Sequence, residues 1–297
     1  MKKILFILLF LGSTAAFSQS LYKFRFEEPW SFSVTAGATQ YYGELYSFWK
    51  YDEGIQPDWD INVSANYTFG TNLRARAQVS YYKISGSDVP SDPEANRIPR
   101  NLNFKANNWE VLGMVEYYLF PVKIYAISRS FLNPYIFAGL GFTSNNPETL
   151  LDGEWVNLRP LQLENNPYEK YVMVFPMGIG LKYKLNVHMD LMIEGSYRFT
   201  LSDYLDDISA YNISEFYLNL VDDYTSGTHP ERLRLAVRNP DFLDANGMPN
   251  VNKILKNGGR IRRGSGLDHR LDGYMTVNVG VDIYFNKFIK DFYKYYK

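Results

Sequence analysis

The chain has 297 residues, no cysteine, 17% aromatic residues and a formal charge of −1, which becomes −3 once the two leader lysines, Lys2 and Lys3, are removed. That near balance, with no basic stripe interleaved with stacking rings, argues against a nucleic-acid partner. The missing thiols exclude a disulfide framework, a thiolate nucleophile and the acylated cysteine of a lipoprotein.

The start, MKKILFILLFLGSTAAFSQS, reads as a secretory signal. Lys2 and Lys3 form a charged n-region, Ile4 to Leu11 an apolar core, and Ala16 and Ser18 supply the small residues a signal peptidase reads. We place the signal peptide at 1–18 and a periplasmic segment at 19–29. The core is too short for a bilayer, which needs about 20 residues. No later stretch is apolar enough for a transmembrane helix, so any membrane the mature chain enters is crossed by strands.

The strand signal starts at Trp30. From there to Glu44, Trp30, Phe32, Val34, Ala36 and Ala38 alternate with Ser31, Ser33, Thr35, Gly37 and Thr39. The stretch DWDINVSANYTFG, residues 58–70, alternates most strictly: Trp59, Ile61, Val63, Ala65, Tyr67 and Phe69 share one face, with aromatics at its two ends. Period two is the mark of a strand with one apolar and one polar side. From Trp59 to Phe69 such a strand runs roughly 33 Å, which at about 40° of tilt spans the ~25 Å apolar band of an outer-membrane barrel. Leu73–Ile84, Asn108–Phe120, Tyr171–Lys184, Met189–Thr200 and Tyr274–Phe285 repeat the pattern. Pro134–Thr143 is apolar on both faces, so its facing stays open.

Eight strands predict an all-β, eight-stranded antiparallel transmembrane barrel over 30–286, sited in the outer membrane. The links sort by length, with short turns at Gly70–Asn72, Pro121–Asn133 and Leu185–His188 on the periplasmic side. The others are long and external, the last spanning 201–272. An eight-stranded barrel is filled by its own side chains. The inward set places Arg74, Arg76, Lys182 and Arg198 against Glu110, Glu116, Asp190, Glu194 and Asp282, mixed signs that suggest a paired plug rather than an ion path.

The long loop carries helical patterns. Asn212-Ile-Ser-Glu215 has capping-box spacing before Ile213, Phe216, Tyr217, Leu220 and Val221. ERLRLAVR follows Pro230, and Pro249–Lys256 opens a third pattern. These predict a cap over the barrel mouth, self-packed or acting as a lid for a ligand. Asp203, Asp206 and Asp207 lack the oxygen spacing of a calcium loop. His229 and His269 lie on the external side and His188 at a periplasmic turn, and Asp268-His269 is an acid–base pair only if a partner comes within hydrogen-bond reach. No nucleophile elbow, zincin or phosphate-loop motif occurs, so no cofactor and no catalytic residue is assigned. Arg260, Arg262 and Arg263 form an external basic spot, either a solvated loop charge or a lipopolysaccharide phosphate contact. The tail, 287–297, mixes Lys290 and Lys294 with Phe288, Phe292, Tyr293, Tyr295 and Tyr296. It either anchors at the inner leaflet or docks a periplasmic partner.

Three stretches, GATQYYGEL, SDYLDDISAYN and LDGYMTVNVGVDIYF, together resemble the PorG-like outer-membrane barrels of the Bacteroidetes type IX secretion and gliding machinery. The likeness in layout covers nearly the whole mature chain. The family's glycine-asparagine run before the last strand is poorly matched by GSGLDHRLDGY, which leaves room for a paralogue with another job. The resemblance implies a non-enzymatic barrel associated with a periplasmic ring lipoprotein and further secretion subunits. The alternatives are a surface adhesion or binding barrel and a barrel hydrolase acting through 201–272.

Overall fold

The computed structural model describes residues 29–45, 57–88, 98–122, 130–186, 188–264 and 271–284. The signal peptide, the segment before Pro29 and the tail lie outside the described residues.

Strands β1 (Trp30–Tyr42), β2 (Asp58–Thr68), β3 (Leu73–Ser87), β4 (Asn103–Tyr118) and β5 (Leu132–Ser144) pair in succession. After a short hairpin, β6 (Glu148–Leu151) and β7 (Glu154–Asn157), come β8 (Tyr171–Lys184), β9 (Met189–Thr200) and β10 (Gly273–Tyr284). β5 pairs with β8, and β10 returns to β1, so eight long antiparallel strands close a barrel. Closure leaves no open edge, the condition for strands to cross a bilayer with every backbone group paired. Among the described residues no helix is long and apolar enough to cross a membrane.

The register fixes the barrel's shape. From Trp30, stepping through the paired residues Tyr67, Ala75, Val115, Ala138, Met177, Tyr197 and Met275, the path returns to β1 at Gln40, ten residues further on. That stagger tilts the strands by about 40° and gives a radius of about 8 Å, narrow enough for side chains to fill.

Burial alternates along every barrel strand. In β2 Trp59, Ile61, Val63 and Tyr67 are exposed, whereas Asp60, Asn62, Ser64, Asn66 and Thr68 are buried. An apolar exterior around a polar interior inverts the soluble pattern and is stable only against lipid. Aromatic rings mark the two borders. Trp59, Tyr81 and Trp109 sit side by side at one end, with ring centroids 5.4 Å and 4.6 Å apart. Trp30 meets Tyr67 at 5.0 Å at the other, where Phe131 meets Tyr183 at 4.4 Å. Trp59 and Tyr67, eight positions apart on β2, stand about 20 Å apart along the barrel axis. The aromatics that close each end of DWDINVSANYTFG are therefore the two interfacial girdles of one strand.

β5 is resolved by its neighbours. Tyr135, Phe137 and Thr143 point inward, and Ile136, Leu140 and Phe142 face lipid. Two large inward rings fit because the paired residues on β8 are glycines, Gly180 beside Tyr135 and Gly178 beside Phe137. A Cβ on Gly180 would lie 2.2 Å from the Tyr135 ring and one on Gly178 2.5 Å from Phe137. Aromatic side chains thus cover the bare backbone of the next strand. Pro176 on β8 lacks an N–H, and the β5–β8 pairing skips Gly139 and Leu140 opposite Phe175 and Pro176.

Two departures from the sequence reading concern the end away from the short turns. β4 begins at Asn103, five residues before the expected Asn108 and well above the girdle. The β6–β7 hairpin was not expected, although Asp152-Gly153 between ETLL and EWVN is a hairpin signal, and both residues adopt positive φ, 53° and 89°.

Candidate functional site

The lumen is filled in two stages. In the half nearest the short turns, β3, β4, β8, β9 and β10 converge their charged residues. Arg74 lies 2.6 Å from Asp282 and 3.3 Å from Glu116. Arg76 bridges Glu116 and Glu194, donating from Nη1 to Glu194 Oε2 at 2.9 Å. Lys182 pairs with Asp282. Tyr118 and Tyr135 donate their hydroxyls to Glu116 and Glu194. Phe137 lies 5.4 Å from the Arg76 guanidinium, within cation–π range. Nearer the mouth, Arg198 lies 3.6 Å from Glu110, which accepts from Tyr274 Oη at 2.6 Å. All eight charged residues are buried. Period-two alternation delivers them to one interior, and barrel closure brings β3 against β9 and β10 across it. Desolvation on this scale is tolerable only because each charge meets an opposite one and the spare lone pairs meet hydroxyls. Asp190 is buried on the same inner face.

At the end away from the short turns the filling changes character. Inward residues there are apolar: Tyr41, Tyr82, Ile84, Phe104, Ala106 and Tyr274. Leu205 and Ile208 from the long loop are buried among them. The loop is fastened by a carboxyl pair. Tyr41 donates to Asp272 Oδ1 at 2.6 Å, and Asp272 Oδ2 accepts from Leu205 N at 2.8 Å. Asp206 accepts from Leu45 N at 3.1 Å and from Ile208 N at 3.0 Å. Burial pushes the Asp206 carboxyl up to about 8, and the charge of Glu44 adds to this. Burial, reinforced by Asp206, raises Asp272 well above the ordinary carboxylate range. Burial therefore favours the protonated form of both carboxyls, which eases their sharing of a dry mouth.

Above the mouth the loop forms the expected cap. Helices α1 (Tyr217–Ser226), α2 (Pro230–Ala236) and α3 (Val251–Asn257) surround a core of Ile213, Phe216, Leu220, Leu233, Ile254 and Ile261. The capping box does not form. Asn212 Oδ1 accepts from Ser214 N at 3.0 Å, a local turn that competes with helix, and α1 starts later with Phe216 at its N-cap. Asn250 does cap α3, accepting from Lys253 N at 3.1 Å.

The acidic triplet is dispersed. Asp203 accepts from Ser209 Oγ at 2.7 Å, Asp206 joins the mouth, and Asp207 lies 2.8 Å from Arg263. Among the described residues no His, Asp or Glu group is arranged to hold a metal ion. The basic spot also divides. Arg260 is exposed, but Arg263 is buried between Asp207 and Glu164, each at 2.8 Å, so it is not free for an external phosphate. Burial pushes Asp207 up to about 7 despite Arg263. Burial opposes the Arg263 charge, but Glu164 and Asp207 together hold its pKa above the ordinary value. No local pattern in the sequence marks Arg263 as buried, because its partners are 56 and 99 residues away.

His188 belongs to the turn before β9, and His229 lies at the far end, 3.2 Å from Glu231. Asp268 and His269 lie outside the described residues, as do Phe288, Lys290, Phe292, Tyr293, Lys294, Tyr295 and Tyr296.

Residues 7–220 match the family described as a domain of unknown function, DUF6089. The chain belongs to that family. No curated protein matches the sequence. Among solved structures the chain is similar to Neisserial surface protein A, at 12% identity and a TM-score of 0.40 over 86% of this chain and 97% of that one. It is also similar to the N-terminal β-barrel domain of OprF from Pseudomonas aeruginosa, at 10% and 0.38 over 86% and 97%. A third is the attachment invasion locus protein Ail of Yersinia pestis, at 11% and 0.37, again over 86% and 97%.

Proposed function

We propose that this member of the DUF6089 family is a non-enzymatic outer-membrane barrel that tethers or stabilises a periplasmic protein-secretion assembly of the type IX kind. The observation that carries this reading is the filled lumen. Ion pairs occupy one half and an apolar plug the mouth, so the work of the barrel falls to the surfaces at its two ends. The likeness of GATQYYGEL, SDYLDDISAYN and LDGYMTVNVGVDIYF to secretion and gliding barrels supports the periplasmic end and a ring lipoprotein as partner. In this reading the contacts lie in the tail, the Pro121–Asn133 turn and the N-terminal stretch LYKFRFEEPW, residues 21–30. The test is a mild-detergent pull-down of the tagged chain from its own membranes, read by mass spectrometry. Near-stoichiometric periplasmic lipoprotein, lost when residues 287–297 are deleted while the barrel still folds, supports the tether. Recovery of the barrel alone after crosslinking overturns it.

A second reading, a surface-binding barrel, is favoured by one feature of the cap. A polar concavity of about 470 Å³ is lined by Gln162, Asn165, Asn219, His229 and Arg232. Deleting the cap helices without loss of secretion, but with loss of surface attachment, favours that role.

A further inference from the structure

On the lipid face of β9, Gly195 interrupts a run of large side chains, Leu191, Ile193, Tyr197 and Phe199. A Cβ at that position would meet nothing within 4 Å, so no packing inside the chain calls for glycine. Gly178 and Gly180 differ, because the rings of Phe137 and Tyr135 lie against them. A glycine inside a strand gives up apolar area and conformational freedom, and often marks a place where another group comes close to the backbone.

Gly195 stands at one end of a groove of about 650 Å³ in the outer wall. One side of the groove is a row of paired residues, Tyr117, Ile136 and Ile179, which leads across β4, β5 and β8 to Gly195. The other side is the next row toward the short turns, Leu119, Pro134, Leu181 and Ile193. Between them the floor is main chain, since Tyr135 turns its ring into the lumen and Gly180 has no side chain. None of the lining residues is charged.

The stagger of the barrel sets the slope of this groove. The path that leaves Trp30 returns to β1 at Gln40, so each step between strands climbs about 3 Å toward the mouth. Three steps lift the path from the girdle residue Trp30 to Val115, and Leu119, four residues further along the descending chain, is back at girdle level. From Leu119 the groove rises roughly 15 Å to Gly195, about half of a ~30 Å hydrocarbon core. It runs from the girdle to the midplane, across one leaflet.

We propose that this groove seats one acyl chain of a phospholipid in the leaflet on the short-turn side. The headgroup lies beside Leu119, and the methyl end reaches Gly195, where the missing side chain leaves room beside Ile179, itself 68% exposed. The two rows stand about 7 Å apart, too close to admit a strand or helix of a second copy. An extended piece of the chain's own tail would carry unpaired N–H and C=O groups into the band. An acyl chain has no polar group to satisfy there.

The test is photolabelling of the full-length barrel in nanodiscs with a phosphatidylethanolamine carrying a diazirine in one acyl chain, read by peptide mass spectrometry. A diazirine near the methyl end should label peptides around Ile179 and Gly195, and one near the carboxyl end those around Leu119 and Pro134. Gly195→Phe, which fills the groove from outside, should cut the methyl-end labelling about fourfold or more, the loss of at least one buried methylene contact. Gly195→Leu should act in the same direction, and Ala65→Phe, at a lipid-facing position on β2, should leave the labelling unchanged. Heat-modifiable migration shows which variants fold. Even labelling around the whole lipid face, or groove labelling that neither Gly195 variant lowers, overturns the proposal. Labelling that rises when residues 287–297 are deleted would make the tail the occupant and also overturn it. So would a disulfide-linked dimer of Ile193→Cys, the sole thiol in a chain without cysteine, which would put a second copy at the groove.

Discussion

The lumen and the mouth close the same barrel by opposite means. The lumen is sealed by charges delivered from the strands themselves, Arg74, Arg76 and Lys182 against Glu116, Glu194 and Asp282. The mouth is sealed by apolar side chains, with Leu205 and Ile208 supplied to it by the long loop. The difference follows from what each region faces before it is filled. Inside the band the strands spend their apolar side chains on lipid, so polar residues are left to face inward. Above the girdle there is no lipid, so apolar residues on β3 and β4 turn inward and bury themselves against the loop.

The largest effect is expected in the ionic half. Arg76→Ala leaves Glu116 and Glu194 buried beside one fewer cation and should cost about 3–5 kcal/mol. Urea unfolding in micelles, followed by the shift between folded and unfolded gel mobility, measures it. A cost within error of zero would mean that water already screens the network.

In the mouth, Leu205→Ala removes a fully buried side chain and should cost roughly 2–5 kcal/mol of cap docking. The loss should appear as faster hydrogen exchange and protease cutting in 203–264, with the barrel strands still protected. If the strands lose protection equally, the two seals are one cooperative unit and the contrast between them fails.

Val63 stands near the middle of the lipid face of β2. Val63→Arg should cost about 2–4 kcal/mol. The preceding residue, which points to the other face, gives the control: Asn62→Ser, inside the lumen, should cost far less. Equal costs would contradict the assignment of faces.

The smallest and most specific effect is pH dependence. Asp206 is raised to about 8 and Asp272 is raised as well. A folded carboxyl that holds its proton more tightly than the unfolded one binds more protons between about pH 4 and pH 8, so stability falls across that window as pH rises. Cap docking should be firmest in acid and loosest above pH 8, read by protease sensitivity of the loop. Asp206→Asn, which mimics the protonated carboxyl, should flatten the profile; an unchanged slope would remove Asp206 from the fastening.

How much of this could be read from the chain differs between the two regions for the same reason. β2 was legible because one face meets lipid for its whole length and the aromatics Trp59 and Tyr67 mark where that lipid ends. Arg74, Arg76, Glu116 and Glu194 were legible as a group because alternation puts them all inside, although which carboxylate meets which guanidinium depends on the stagger around the barrel. The start of β4 was missed because Phe104 and Ala106 point inward above the girdle, reversing the polarity that the same strand shows from Asn108 on. Asn212 looked like a helix cap because spacing cannot show that its side chain closes a local turn on Ser214 instead. Arg263 looked solvated because Glu164 and Asp207 are brought to it only by the folded loop. The tail's aromatics and lysines lie outside the described residues, so only the resemblance bears on them.

The most direct test of the account is conductance across a planar bilayer, comparing the full barrel with a variant lacking residues 212–261 whose gel migration shows it folded. The ionic network seals the lumen without help from the cap helices, so neither protein should give discrete current steps. Steady steps from the shortened barrel would show that the cap, not the lumen, is the seal, and would contradict the reading of this protein as a closed membrane anchor.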